Sequence, residues 1–265
     1  VLVLLPPSET KATPSRQGAP LDLESLSFPA LTEHRAAVLD ALIRLSSGPV
    51  AKAQVSLKLS AGQYEPIARN IELRAAPTMP AGRVYTGVLY DALDISSLSG
   101  TAKRRANSQL VIASALFGAV RPTDRIPAYR LAGNAKLPRL GTVGPTWRPH
   151  LDEVLPAAAG RGLVLDLRSS TYASMWQPSG ALAERTVTVR VLHERRPGDP
   201  SSRMIVSHFN KATKGRLVRD LLNAASQPRN PAELAEHLAA DGRVVELHDA
   251  RPGKPRALDV VVLEV

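Results

Sequence analysis

A chain of 265 residues with 44% hydrophobic content is long enough to bury a sizeable core. It has no cysteine, which excludes disulfides and disulfide-linked partners, thiolate-held metal and any cysteine nucleophile. The net charge of +10 is unevenly placed: residues 1–100 are balanced, residues 101–150 carry +8, and residues 151–265 carry +2. A concentrated excess sets up a local positive potential suited to a polyanion.

No apolar run approaches the ~20 residues that cross a bilayer, so no membrane partner is expected. Val1–Leu5 lacks the charged flank and cleavage site of a secretory leader and reads as a buried first strand. The absence of cysteine fits a reducing cytoplasm. Pro6 and Pro7 end the strand, and Ser8–Lys11 supply a turn. Residues 12–29 read as a loop. Thr32 is the expected cap of a core helix that stops before Gly48-Pro49. Residues 51–59 and 63–75 read as two short helices joined at Ser60-Ala61-Gly62, the layout of a helix–hairpin–helix whose turn amides face phosphate. Residues 83–93 are helix-like, with a break at Gly87.

Residues 109–114 hold the run Leu110-Val111-Ile112-Ala113, a strand buried on both faces. The basic segment Ser108–Arg139 follows from it as a loop, and loops at the carboxyl ends of buried strands form ligand crevices. Within it Gly118 and Pro122 are expected to shape a turn that brings backbone to an anion. Arg121 and Arg130 offer planar forks, Asp124 orients one of them, and Tyr129 stacks or donates. Proline- and glycine-rich residues near 133–149 and 195–202 read as loops. A helix is expected over 151–158, strands over 162–167, 186–192 and 204–207, and a helix over 210–224 with Lys211, Lys214, Arg216 and Arg219 on its first half. Asn230 caps a helix at 231–240, and strands at 243–247 and 257–265 close the chain. The expected class is α/β, mixed α+β: one compact domain over 1–265, with a central mixed sheet flanked by helices.

Five blocks carry a resemblance: LVLLPPSETK (2–11), YTGVLYDAL (85–93), SALFGAVRPTDRIPAYRL (114–131), LVLDLRSSTY (163–172) and SHFNKATKGRLVR (207–219). In order and spacing they resemble the YaaA peroxide-stress family. The resemblance implies a cytoplasmic protein that limits oxidative damage, with a basic cleft that binds double-stranded DNA. Transferred onto this sequence, it marks Lys11, Ser114, Arg121, Arg130, Ser169, Tyr172, Lys211 and Arg219 for nucleic-acid or anion binding. Lys214, from the same helical cluster, joins them. Two departures stand out: the family's asparagine before the serine block is Asp166, and its small residue is Arg168.

The sequence holds no phosphate-loop, dinucleotide-binding, HExxH or GxSxG motif. Its six histidines are dispersed, and His150-Leu151-Asp152-Glu153 is the only tight His/carboxylate group, so neither a metal nor a cofactor is expected. Two readings stay open. One is non-catalytic DNA protection by phosphate contacts. The other is an enzyme acting on a nucleotide or nucleoside-like anion in a pocket, with Lys11, Asp124 and Tyr129 as candidate catalytic groups. A concave site too small for a duplex favours the second; an open groove favours the first.

Overall fold

The computed structural model describes residues 1–263, and the side chains of all of these except Ser207 and His208. The main sheet is built from β1 (Leu2–Leu5), β2 (Leu110–Ser114), β3 (Gly118–Val120), β4 (Val164–Asp166), β5 (Thr186–Glu194), β6 (Arg203–Met204), β7 (Val244–Leu247) and β8 (Arg256–Leu263). Their order is β7-β8-β5-β4-β1-β2-β3, with β6 pairing on β5. The five strands β2, β1, β4, β5 and β8 run parallel, while β3, β6 and β7 are antiparallel to their neighbours. β1 and β2 are buried along their whole length, as unbroken apolar strands in the middle of a parallel sheet should be. The last two residues of the expected strand at 257–265 lie outside the described residues.

Helices pack on this sheet in two groups. The first holds α1 (Thr32–Ser46), α2 (Val50–Leu57) and α3 (Glu65–Ile71). The second holds α4 (Val88–Leu93), α5 (Gly100–Gln109) and, later in the chain, α8 (Ser207–Asn223). Between them in sequence come α6 (Val143–Ala159) and the short α7 (Ser170–Ala173), and α9 (Pro231–Ala240) packs beside β7. α8 lies so close to α4 that a Cβ on Gly215 would overlap the Leu89 carbonyl and meet Ala92 Cβ at 2.9 Å. The cap at Asn230 forms as expected, its side chain accepting from Glu233 N at 2.9 Å.

Four expectations need correction. Thr32 is not a cap: Phe28, at φ 63, starts a 3-10 turn over Pro29–Leu31, so Thr32 already lies inside α1. Residues 100–109 form α5, which went unforeseen because only Ala102 and Ala106 of that polar stretch are buried. The loop near 133–149 contains the first half of α6. Pro145 occupies its first turn, where amides have no intrahelical acceptor, and Pro149 and Pro156 fall on the exposed face, leaving Trp147, Leu151, Leu155 and Ala159 to form the core stripe. The segment after β2 is not one long loop either: Ala115–Phe117 turn straight into β3, and residues 125–126 pair with 79–80.

Gly118 has a different purpose from the one expected. At φ 72 it faces the Trp147 ring, which a Cβ would meet at 2.6 Å, so its missing side chain admits a core aromatic and no anion.

Candidate functional site

A cleft of about 990 Å³ opens where the chain leaves the carboxyl ends of β1 and β4. Residues 6–11 after β1, residues 86–90 leading into α4, residues 130–134, the loop after β4 and one face of α8 contribute to its wall. Its charged lining is Lys11, Lys58, Arg130, Lys211 and Lys214 against Glu9. This is the crevice position expected of an open sheet of parallel strands.

Lys11 is placed by the backbone. It pairs with Tyr85 in an isolated bridge, and Ala12 N donates to Val84 O at 2.8 Å, which fastens the loop after β1 to the chain before α4. Its side chain is part-buried. Nζ donates to Ser8 O at 2.8 Å and more weakly to Glu9 O at 3.4 Å, and lies 4.4 Å from the centroid of the Tyr129 ring. Burial, helped by the charges of Arg130 and Arg69 and opposed by Glu9, lowers its pKa to about 7.

Beneath Lys11 runs a chain of buried hydroxyls. Tyr129 Oη shares hydrogen bonds with Tyr85 Oη at 2.9 Å and Ser114 Oγ at 2.8 Å, and Ser114 Oγ accepts from Phe117 N at 3.0 Å. Burial pushes the Tyr85 and Tyr129 phenols well above their ordinary range, so both stay neutral donors at physiological pH. Ser114 and Tyr129 therefore form a floor under the lysine and do not line the cleft.

Arg130 differs from the other arginines singled out by sequence. Its backbone N and O are taken by Asn70, whose side-chain amide pairs with them at 2.9 and 2.8 Å, but its guanidinium has no protein acceptor among the described residues, and Nε is buried without a partner. Asn210 Oδ1, also at the cleft, is a buried acceptor without a donor among the described residues. Nine other buried side-chain atoms among the described residues are in the same condition away from the cleft, so what distinguishes these two is their place in the cleft wall, where a bound group can reach them.

Arg121, by contrast, donates to Ser108 O at 2.7 Å and Leu110 O at 3.1 Å. Asp124 accepts from Ser27 N, Ser27 Oγ and Arg121 N at 2.7 to 3.0 Å and ties the loop before α1 to the segment after β3. Arg219 donates to Leu93 O, Asp94 O and Ser97 Oγ and closes the carboxyl end of α4. None of these three lines the cleft. Of the cations between residues 101 and 150, Arg130 alone appears in its wall.

Ser169 and Tyr172 reach the cleft on the loop after β4, as do Lys211 and Lys214 on α8. Ser169 and Lys211 are exposed. Lys214 Nζ approaches Leu167 O at 3.4 Å, and burial lowers its pKa while Asp166 pulls the other way. Sequence reasoning missed Lys58 and Asn210. Asn210 lay inside a quoted block beside Lys211; Lys58, the left-handed residue that ends α2, carried no local signal. The α2–α3 hairpin forms, but Gln63 Oε1 takes both Ser60 N and Ser60 Oγ at 2.8 Å, so that amide of its linker is already engaged. Among the described residues no group of three histidines or carboxylates is placed to hold a metal ion, and no helix is long and apolar enough to cross a membrane.

Comparison with known proteins agrees with the motif blocks. The family described as "Peroxide stress protein YaaA" matches residues 1–242. A UPF0246 protein of Streptomyces coelicolor is 54% identical across the full length of both chains. Counterparts in Corynebacterium efficiens and Corynebacterium glutamicum are 44% and 40% identical, covering 95% and 99% of this chain and 97% and 100% of their own. With a match over most of its length and a cleft built from the blocks that suggested it, the chain belongs to the YaaA peroxide-stress family.

Proposed function

We propose that this protein serves the peroxide-stress response in the cytoplasm by holding a nucleotide-like anion in the cleft between the loops after β1 and β4. The observation that carries this reading is Arg130: a guanidinium without an acceptor among the described residues, its Nε buried and unpaired there, at the wall of a cleft with four lysines. A phosphate supplies the missing acceptor and the compensating charge. Asn210 Oδ1 asks for a donor, which a ribose hydroxyl or base amine offers. The volume of about 990 Å³ sits at the upper end of the roughly 300–1,000 Å³ typical of small-ligand pockets. That size favours a single nucleotide, free or at an exposed position in a strand, over a duplex seated inside.

Thermal shift with AMP, ATP and inorganic phosphate tests the proposal. A ligand at a hundred times its Kd stabilises the folded state by about 2.7 kcal/mol, enough to raise the melting temperature by several degrees. The nucleotides are expected to do so in the wild type and to give at most about half that stabilisation in R130M. No shift with any of the three, at concentrations up to tens of millimolar, refutes the reading.

Duplex DNA lying across the mouth is the second reading, and Lys58 and Lys211 favour it because both are exposed at the rim. Log affinity for a duplex would fall with log salt by about 0.9 for each phosphate neutralised. A slope near 2 that drops toward zero in a K58A/K211A double variant supports it, and binding insensitive to salt removes it.

A further inference from the structure

The amines at the cleft are not equivalent. Lys58 and Lys211 are exposed, where water solvates an ammonium. Lys11 is part-buried above a fixed floor, its Nζ 4.4 Å from the Tyr129 ring centroid and 5.5 Å from that of Tyr85, with the two phenols locked together and to Ser114. A neutral amine has two N–H groups, and the carbonyls of Ser8 and Glu9 are there to accept them. The nitrogen lone pair is then left without a partner. Arg130, in the same cleft, is without an acceptor among the described residues.

We propose that Lys11 is a nucleophile that forms an imine with the aldehyde or ketone of a phosphate-bearing ligand, the phosphate held by Arg130. This rests on the cleft being the ligand site, as proposed above, and adds the chemical class of what enters it. The lone pair of Nζ attacks the carbonyl carbon as the C=O π pair moves to oxygen, giving a carbinolamine. The two amine hydrogens leave with that oxygen as one molecule of water, and a C=N bond remains. No oxidant or reductant is consumed. The amine must be neutral to attack, and lysines that do this chemistry are brought into range by desolvation or a neighbouring cation. With burial and Arg130 holding Lys11 at about 7, about half of it is neutral at pH 7. An exposed lysine is neutral in only about one molecule in 2,500 at that pH.

Borohydride trapping tests the proposal on the full chain. The protein is incubated at pH 7.5 with pyridoxal 5′-phosphate, a phosphate-bearing aldehyde, then reduced, digested and mapped by mass spectrometry. The adduct is expected on Lys11 at tenfold or more over Lys58, Lys211 and Lys214, and excess inorganic phosphate should suppress it. K11M should lose it, and because the mapping is done on the wild type the result does not depend on that variant folding. Two further arms separate the sources of the ligand: glyceraldehyde 3-phosphate represents a free sugar phosphate, and an oligonucleotide with an abasic deoxyribose represents an aldehyde carried by nucleic acid. Trapping at Lys11 by either supports the proposal and names the source. Labelling spread over the surface lysines, or concentrated on Lys58 or Lys211, overturns it. A nucleotide shift in melting temperature without any Lys11 adduct overturns this proposal alone and leaves the binding function standing.

Discussion

Asp166 and Arg168, two residues apart at the end of β4, close on each other in a buried bidentate ion pair, Arg168 Nε donating to Oδ1 at 2.9 Å and Nη2 to Oδ2 at 2.7 Å. Arg168 reaches on to Tyr172 O at 3.1 Å and Trp176 O at 2.9 Å. Ser169 and α7, which carries Thr171 and Tyr172 to the cleft, are tied to this pair through Arg168. They are two of the positions at which the resemblance to the YaaA blocks is imperfect, and here they are each other's partners.

Removing one partner of such a pair strands a buried charge, at a cost of about 3–5 kcal/mol. D166N and R168A are each expected to lower the unfolding free energy by that order, while D166N/R168A, which removes both charges, loses clearly less than the two combined. Urea unfolding of the four proteins gives the coupling energy directly. Additive losses would show that the two residues act separately.

The arginines divide by what their guanidinium groups touch. R121M and R219M each strip two carbonyls of their donor, and each should cost about 1–3 kcal/mol of stability while leaving nucleotide affinity near wild type. R130M removes no side-chain hydrogen bond to the described residues, so its stability should be unchanged or raised. Its nucleotide affinity should fall about 10- to 100-fold, the scale of a lost charge-assisted hydrogen bond. Chemical denaturation and calorimetric titration on the same three variants separate the two classes.

This division also marks how far the sequence could be read. Apolar periodicity located β1, α1, β2 and β4, and the quoted blocks contained Lys11, Arg130, Ser169, Tyr172, Lys211 and Lys214, all of which line the cleft. An arginine's partner is not a local property. Arg219 is engaged by carbonyls more than a hundred residues earlier, and Arg35, wholly buried inside α1, donates to Phe117 O and Ala119 O from the far side of the core. Charge per segment therefore overstated the part played by residues 101–150. α5 was invisible for a related reason: its place depends on Arg105 donating to Leu222 O and Ala224 O at the end of α8, a tertiary contact that no periodicity in a polar stretch announces.

Gly215 sets the spacing of the two helices that frame one side of the cleft. A methyl group there would overlap Leu89 O and press on Ala92 and Leu93, forcing α8 away from α4. G215A should cost about 1–3 kcal/mol as an overpacked contact. Because Leu89 on α4 and Asn210, Lys211 and Lys214 on α8 all line the cleft, nucleotide affinity should fall with stability, unlike in R121M. Thermal unfolding and titration of G215A check both effects.

The pH dependence of stability carries the signature of Lys11. Its pKa is about 7 in the folded protein against about 10.4 in an unfolded chain. Below pH 7 both states hold the proton, and the folded state bears the full cost of an ammonium beside Arg130 and Arg69. Between about 7 and 10.4 the unfolded chain binds more protons than the folded one, so unfolding free energy rises with pH, by at most about 1.4 kcal/mol per unit for one group. The buried phenols of Tyr85, Tyr90, Tyr129 and Tyr172 act in the opposite sense: their raised pKa values stabilise the fold below about pH 10, and that contribution is lost as pH climbs further. The lowered amine of Lys214 adds to the rise below about 10.4, and His34, depressed to about 4, acts below pH 6.5, outside the Lys11 window. Stability is therefore expected to climb from pH 7 toward 10 and then fall. K11M should reduce the climb and keep the fall, and subtracting the two profiles removes the Lys214 and tyrosine contributions. A bound phosphate offsets the charge of Arg130 and returns part of the Lys11 population to the ammonium, so wild-type binding should take up a fraction of a proton at pH 7 beyond what the ligand's own titration near about pH 6 contributes. Titration calorimetry in two buffers of different ionisation enthalpy measures that uptake, and a value of zero in wild type, equal to K11M, would place the anion away from Lys11.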